Sequence, residues 1–334
     1  MPKVSVCIPS YNYAHYLGGC IRSVLDQTYE DWELVIVDNR SSDNTGEVVR
    51  SFSDPRIRFF ENDRNIGLVG NWNRCVSLAT GEYVTILPAD DAYLPQMLER
   101  CVALLDAYPN LGFTYTSYHV IDEGGRVTET KRQFDEDRIL SAEEAVRCNL
   151  IYANFAIPPT VLMRRECYRA AGGFDEAYRI IVDWVLYVRA ALRFGAGYIT
   201  EPLATHRYQH PSSVSAQTFL KRPRLITSEE RRLLEEILPL LPSSQNSRDF
   251  RRLVFRGMID RHVLRTHGLL AHNDMEGFRS ELAFAMALDR TFPLRYRKMM
   301  ALWFASLLSP RLAKRLDAVE TGFWTSFYGS SLEQ

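Results

Sequence analysis

Paired cysteine spacing is missing from this sequence. Its six cysteines (Cys7, Cys20, Cys75, Cys101, Cys148 and Cys167) form no C-x-x-C pair, and none stands at a zinc-ligand interval from a histidine. That excludes a ribbon-type zinc site and a dithiol redox motif. Several lie in apolar runs such as Val6-Cys7-Ile8, where a thiol behaves as a small hydrophobe, so reduced core cysteines in a cytoplasmic protein are expected. Long hydrophobic runs are missing too. The longest near the C-terminus, residues 299–308, is about half the ~20 residues that span a bilayer, so it can lie on a membrane but not cross one. The chain opens directly on a strand pattern, and the expectation is that no signal peptide precedes it. No internal repeat or low-complexity tract occurs. With 40 Lys/Arg against 41 Asp/Glu, net −1, no nucleic-acid partner is expected.

What is present is an ordinary globular composition, 46% hydrophobic and 24% charged over 334 residues. That is enough for one large domain and an appendage. The charge is uneven. Residues 216–334 hold 19 Lys/Arg and 13 Asp/Glu, net +6, which leaves net −7 for residues 1–215. An acidic catalytic part with a basic tail fits a cation-using enzyme resting on an anionic surface. A charged helical surface with no partner fits equally.

Strand and helix patterns alternate through the first third. Residues 3–9, 32–37, 57–61, 82–87 and 113–120 read as strands, and 14–27, 69–79 and 95–107 as helices, with another opened by Ser42-Asp43-Asn44. This predicts a mainly parallel, doubly wound α/β sheet, which binds ligands outside the carboxyl ends of its strands. Glu123-Gly124-Gly125 reads as a hairpin turn followed by polar chain to about residue 138, and Ser141 as a helix cap. A strand at 160–163, a helix from Arg165, a helix over 181–194 and a strand at 197–200 follow. Helices at 228–237, 249–267, 274–288 and 295–316 close the chain.

Acids and small loops fall at the strand ends. Pro9-Ser10-Tyr11-Asn12 follows the first strand and can lay an aromatic or backbone group against a base. Asp38 ends the second and can accept from a pyrimidine imino N–H, or serve as a turn aspartate beside Ser41-Ser42-Asp43. In Asn65-Ile66-Gly67, glycine permits close backbone approach and Asn65 both donates and accepts. The adjacent Asp90 and Asp91 repel unless neutralised. Mg²⁺ or Mn²⁺ completed by diphosphate oxygens would do that, and so would the dipole of a helix opened by Tyr93-Leu94-Pro95. Asp183 starts an otherwise apolar helix, where a carboxylate suits a general base, a cap or a partner for Arg189 or Arg193. His210, in a hydroxyl-rich loop, can reach a phosphate or a metal.

In order, these pieces resemble the family 2 glycosyltransferases of the GT-A fold. The resemblance covers residues 3–215. It is carried by Val4-Ser5-Val6-Cys7-Ile8-Pro9-Ser10-Tyr11-Asn12, Val35-Ile36-Val37-Asp38-Asn39, Asn65-Ile66-Gly67, Gly81-Glu82-Tyr83-Val84, Asp90-Asp91, Gly173-Phe174-Asp175-Glu176 and His210-Pro211-Ser212-Ser213-Val214-Ser215.

The resemblance implies an inverting, metal-dependent hexosyltransferase with a GT-A domain at 1–217 (nucleotide-binding half 1–120, acceptor-binding half 121–217) and a helical region at 218–334. Its donor would be a nucleotide-sugar, most often UDP-linked. Its acceptor would be a glycan or lipid-linked hydroxyl in cell-surface or extracellular polysaccharide synthesis. Pro9, Ser10, Tyr11, Asn12, Asp38, Asn65, Gly67 and Asp90 would hold the nucleotide. Asp90, Asp91 and His210 would hold Mg²⁺ or Mn²⁺, Asp91, Gly173, Phe174 and Trp184 would face the sugars, and Asp183 would deprotonate the acceptor.

The sequence departs from the family pattern at Pro88, in place of the first acid of Asp-x-Asp, at Asn39 and Val182, where acids are usual, and at Arg207, three positions ahead of His210. A binding protein with weakened catalysis and a GT-A-like nucleotidyltransferase are the rival readings. The basic, amphipathic end (Arg295, Arg297, Lys298, Arg311, Lys314 and Arg315 around the apolar stretch) suits a peripheral contact with the inner face of the plasma membrane, and equally a helix packed on the catalytic domain or on a second subunit.

Overall fold

The computed structural model describes residues 1–153, 156–208, 223–242, 247–271, 274–288 and 292–308. Contacts divide the chain into two units, Met1–Ser213 with Glu236–Asn246, and Val214–Glu235 with Ser247–Gln334.

The first unit runs β1 (Val4–Ser10), α1 (Ala14–Leu25), β2 (Trp32–Asp38), α2 (Thr45–Arg50), β3 (Ile57–Glu61), α3 (Gly67–Leu78), β4 (Tyr83–Ile86), β5 (Ala92–Tyr93), α4 (Met97–Ala107), β6 (Leu111–Ile121), β7 (Val127–Lys131), β8 (Arg138–Leu140), α5 (Ala142–Tyr152), β9 (Val161–Arg164), α6 (Arg165–Ala170), α7 (Val182–Ala191) and β10 (Gly195–Arg207). The sheet order is β3-β2-β1-β4-β9-β6-β10-β5, with β7 on β6 and β8 on β10. β3, β2, β1 and β4 are mutually parallel. β9 enters antiparallel between β4 and β6, and β10 runs parallel to β6.

Every residue of β2 is buried, as its continuous apolar run requires of a strand covered on both faces. One cover is α1, whose Leu17, Ile21 and Val24 are fully buried beside Val6, Ile8 and Leu34. Each such side chain contributes about 1.5–3 kcal/mol relative to exposure. All six cysteines are free thiols, five of them buried.

The expected α/β sheet flanked by helices holds, with β9 inserted antiparallel between β4 and β6 and three further local differences. β7 and β8 occupy the stretch read as polar chain, because their outward residues are mostly exposed and carry no apolar alternation. Residues 92–93 form strand rather than a helix start. β10 runs well past residue 200, because register shifts around Ile199, Pro202 and Ala204 break the period-two signal.

The second unit holds most of α8 (Pro223–Ile237), then α9 (Arg248–Ala271), α10 (Met275–Leu288), α11 (Phe292–Arg295) and α12 (Arg297–Leu308). Glu230 is buried there and meets Arg261 and Arg265. His262 is held between Thr227 Oγ1 and the Glu281 carbonyl. Met299 and Leu302 of α12 are buried while Phe304 is exposed. Among the described residues no helix is long and apolar enough to cross a membrane. Of the helix expected at 295–316, the part beyond 308 lies outside the described residues.

Candidate functional site

The carboxyl ends of β1 and β2 lie side by side, with Ser10 paired to Asp38. The Asn39 N–H donates to the Ser10 carbonyl at 2.8 Å. Asp38 is buried and takes the Ser41 N–H at 3.1 Å and the Ser41 hydroxyl. The same Ser41 Oγ accepts from the Asn12 N–H at 2.8 Å, and Asn12 Oδ1 accepts from the Ser42 N–H at 2.8 Å. Asn12 sits at φ 57°, a left-handed conformation that asparagine tolerates through such local bonds. The loops after β1 and β2 are therefore stitched together, and Tyr11 stays exposed beside them. Ser10 Oγ is buried without a hydrogen-bond partner among the described residues.

Asn39 organises the third loop. Its Nδ2 donates to Asn65 Oδ1 at 2.9 Å and to the Gly67 carbonyl at 3.2 Å. Its Oδ1 accepts from Asn62 Nδ2 and from the Ile66 N–H, both at 2.9 Å. Gly67 adopts φ 81°, where a side chain would be strained. An amide is needed here because Asn39 must both donate and accept, which an ionised acid cannot do.

Asp90 and Asp91 follow β4 through a turn in which the Pro88 carbonyl accepts the Asp91 N–H at 3.0 Å. The chain then enters β5, which pairs with Ala204 and Thr205 of β10. That pairing delivers His206 and Arg207 to the two acids. Asp91 Oδ1 accepts from the Arg207 N–H at 2.9 Å and lies 3.2 Å from His206 Nδ1. Arg207 Nε donates to the Asp90 carbonyl at 3.2 Å, Arg207 also donates to the carbonyls of Asp122 and Glu123, and its guanidinium lies 4.4 Å over the Tyr16 ring.

Burial opposes the His206 cation, but the charges of Asp91, Asp90 and Asp183 outweigh it and raise its pKa. Burial raises Asp91 as well, against the attraction of His206. Asp91 is the carboxylate in direct contact with His206, and Asp90 and Asp183 act on it only through their charge.

Asp183 stands in the first turn of α7, partly buried, with Oδ1 on the Trp184 N–H at 2.8 Å. The loop leading to it is pinned by α3. Asn73 Oδ1 accepts from the Phe174 N–H and the Tyr168 hydroxyl, and Asn73 Nδ2 donates to the Phe174 carbonyl. Gly173 bends there at φ 70°, and a Cβ on it would lie 3.0 Å from the Tyr168 hydroxyl oxygen.

Several expectations need correction. The Asp91 side chain, expected on the cation and the sugar, is 2% exposed and occupied by His206 and Arg207. Phe174 and Trp184, expected to face sugars, are 5% and 1% exposed, and the Trp184 indole N–H is spent on the Asn149 carbonyl. His210 lies outside the described residues. Among the described residues no group of three or more His, Cys, Asp or Glu is placed to hold a metal. The half-buried Asp90 fits a hard cation only as one carboxylate ligand, with water and diphosphate oxygens completing the shell. Asn39, Asn73, His206 and Arg207 received no functional role from the sequence. Two of them carried a signal: Asn39, standing where an acid is usual, and Arg207, out of register ahead of His210.

The family model for glycosyl transferase family 2 matches residues 5–172, half of the chain. The chain belongs to this family. Among relatives of this family 2 glycosyltransferase, the Escherichia coli UDP-Glc:alpha-D-GlcNAc-diphosphoundecaprenol beta-1,3-glucosyltransferase WfgD is 37% identical over 124 residues, 37% of this chain and 49% of WfgD. The match therefore spans about half the length of that relative. The succinoglycan biosynthesis protein ExoO of Rhizobium meliloti (strain 1021) is 26% identical over 325 residues, 95% of this chain and 84% of ExoO. Residues 1–349 of S. aureus TarS, solved in complex with UDP-GlcNAc, superpose with a TM-score of 0.67 at 17% identity, over 95% of this chain and 90% of that one. This likeness establishes that the glycosyltransferase has the same fold.

Proposed function

We propose that this glycosyltransferase moves a sugar from a UDP-sugar to a hydroxyl of a glycan or lipid-linked acceptor, with inversion, in the synthesis of a surface or extracellular polysaccharide. The observation that carries the reading is that Asp38 and the Asp90–Asp91 turn, which His206 and Arg207 tie to β10, stand at the carboxyl ends of the parallel strands β2 and β4 at one edge of the sheet. The names of WfgD and ExoO, and the UDP-GlcNAc bound to TarS, support the donor and acceptor classes.

In this reading Pro9, Tyr11 and Asp38 hold the uracil, with Asn65 and Gly67 closing over the nucleotide. Asp183 takes the proton of the acceptor hydroxyl as its oxygen bonds to the anomeric carbon. The bond from that carbon to the diphosphate oxygen breaks on the opposite face, and UDP leaves with the electron pair. Mg²⁺ or Mn²⁺ held by Asp90 would offset the charge gathering on the departing diphosphate. Asp91 is a tether in this account: it fixes the turn bearing Asp90 to β10. Contact of the basic C-terminal helices with an anionic membrane belongs to the same proposal, and liposome binding by the chain with and without residues 294–334 tests it.

A panel of nucleotide-sugars with Mn²⁺, read by thermal shift and slow hydrolysis, tests the donor. A UDP-sugar should raise the melting temperature and release UDP. Stabilisation by a nucleotide-sugar of another base alone would overturn the UDP reading.

A further inference from the structure

With Phe174 and Trp184 in the core, the surface on which an acceptor sugar lies has to be found elsewhere. A pyranose offers one apolar C–H face and a rim of hydroxyls, so its site pairs an exposed aromatic ring with nearby polar groups. Among the described residues of the first unit, the Phe, Tyr and Trp side chains classed as exposed are Tyr11 (45%), Tyr108 (42%) and Tyr208 (50%). Tyr11 belongs to the loop stitched to Asp38. Tyr108 caps α4 just before β6 begins, at the opposite edge of the sheet from the carboxylates. Tyr208 follows the last residue of β10.

The setting of Tyr208 is specific. Its ring centroid lies 6.2 Å from that of His206, and Tyr118 meets the same imidazole edge-on, also at 6.2 Å. His206 in turn touches Asp91, the neighbour of Asp90 in the turn after β4. The Tyr208 N–H donates to the Ile121 carbonyl at 3.2 Å, so the backbone under the ring is held by the end of β6. An exposed ring on a fixed backbone, next to the carboxylate cluster, offers a sugar a stacking face at low entropic cost.

We propose that Tyr208 is the platform for the acceptor's terminal sugar ring, which it orients with one hydroxyl toward Asp183. This rests on the glycosyltransferase reading above. It identifies Tyr208 as a residue that sets acceptor affinity, and it predicts that the acceptor ends in a pyranose rather than in a lipid alcohol or a protein side chain.

The test uses the full chain with the donor chosen by the panel, and methyl β-glycosides of glucose, galactose and N-acetylglucosamine as acceptor probes. Tyr208→Leu should raise the acceptor concentration for half-maximal transfer about tenfold. Tyr208→Phe should stay within about twofold of wild type, because it keeps the stacking face. Both variants should bind UDP as the wild type does, and saturation-transfer NMR should show contact to the glycoside C–H protons in the wild type and Tyr208→Phe only. An unchanged acceptor dependence in Tyr208→Leu, with transfer and UDP binding intact, overturns the platform alone. A wild-type protein that binds neither UDP nor any nucleotide-sugar overturns the functional reading beneath it.

Discussion

Asn73 brackets the backbone of Phe174, donating to its carbonyl at 2.8 Å and accepting its N–H at 3.1 Å, across 101 positions of sequence. The same helix, α3, begins at the Gly67 loop that Asn39 holds against β2. One rigid element therefore fixes a loop on the nucleotide side and the loop that leads to Asp183.

Removing that bracket should loosen the second loop and spare the first. For Asn73→Ala, three hydrogen bonds are lost, two with the Phe174 backbone and one from the Tyr168 hydroxyl, at roughly 1 kcal/mol each, so denaturant unfolding should show a loss of about 3 kcal/mol. UDP affinity, read by calorimetry, should stay near wild type while transfer falls. A matching loss of UDP binding would show that the two loops are not held separately.

Asn39→Asp restores the acid usual in the family and should nonetheless harm this chain. An ionised oxygen would face Asn65 Oδ1 and the Gly67 carbonyl, where Nδ2 now donates. Unpaired acceptors of this kind cost about 1–3 kcal/mol. Calorimetry should show UDP binding weakened several-fold, and unaltered affinity would count against the role of Asn39 in shaping the nucleotide loop.

Acid stability has an identifiable contributor in Glu33. Burial works against its carboxylate, but bonds from the Ser5 hydroxyl, the Thr80 N–H and hydroxyl and the Arg58 guanidinium bring its pKa down to about 2, from an ordinary 4.5. A depressed carboxylate stabilises the fold fully above its unfolded pKa and loses that contribution as pH falls through the folded one. The window therefore runs from about 4.5 down to about 2, and the term is on the order of 3 kcal/mol. Glu33→Gln should flatten the stability–pH curve in that window. A curve of unchanged slope would remove Glu33 as the cause.

Much of this was legible in the sequence, because the informative signals were local. Continuous apolar runs marked β1, β2 and β4, and the acid or loop after each run marked its carboxyl end. Distant pairings were not legible. His206 reaches Asp91 across 115 positions only because β5, two residues long, pairs with the far end of β10, and bulges hide that end from periodicity. Trp184 and Phe174 were misplaced for a related reason. An aromatic beside an acid looks the same in sequence whether it faces a cleft or the core, and three-dimensional packing decides which.

The central claim is that Asp38, Asp90 and Asp183 serve one reaction in separable roles. Its most direct test is UDP titration calorimetry with Mn²⁺ on Asp38→Ala, Asp90→Ala and Asp183→Asn, alongside transfer rates. The first two variants should weaken UDP binding at least about tenfold, a loss of about 1.4 kcal/mol. Asp183→Asn should bind UDP like the wild type and lose about 10²–10⁴-fold in transfer. Wild-type transfer by Asp183→Asn, or unchanged UDP binding in Asp38→Ala and Asp90→Ala, would contradict the account.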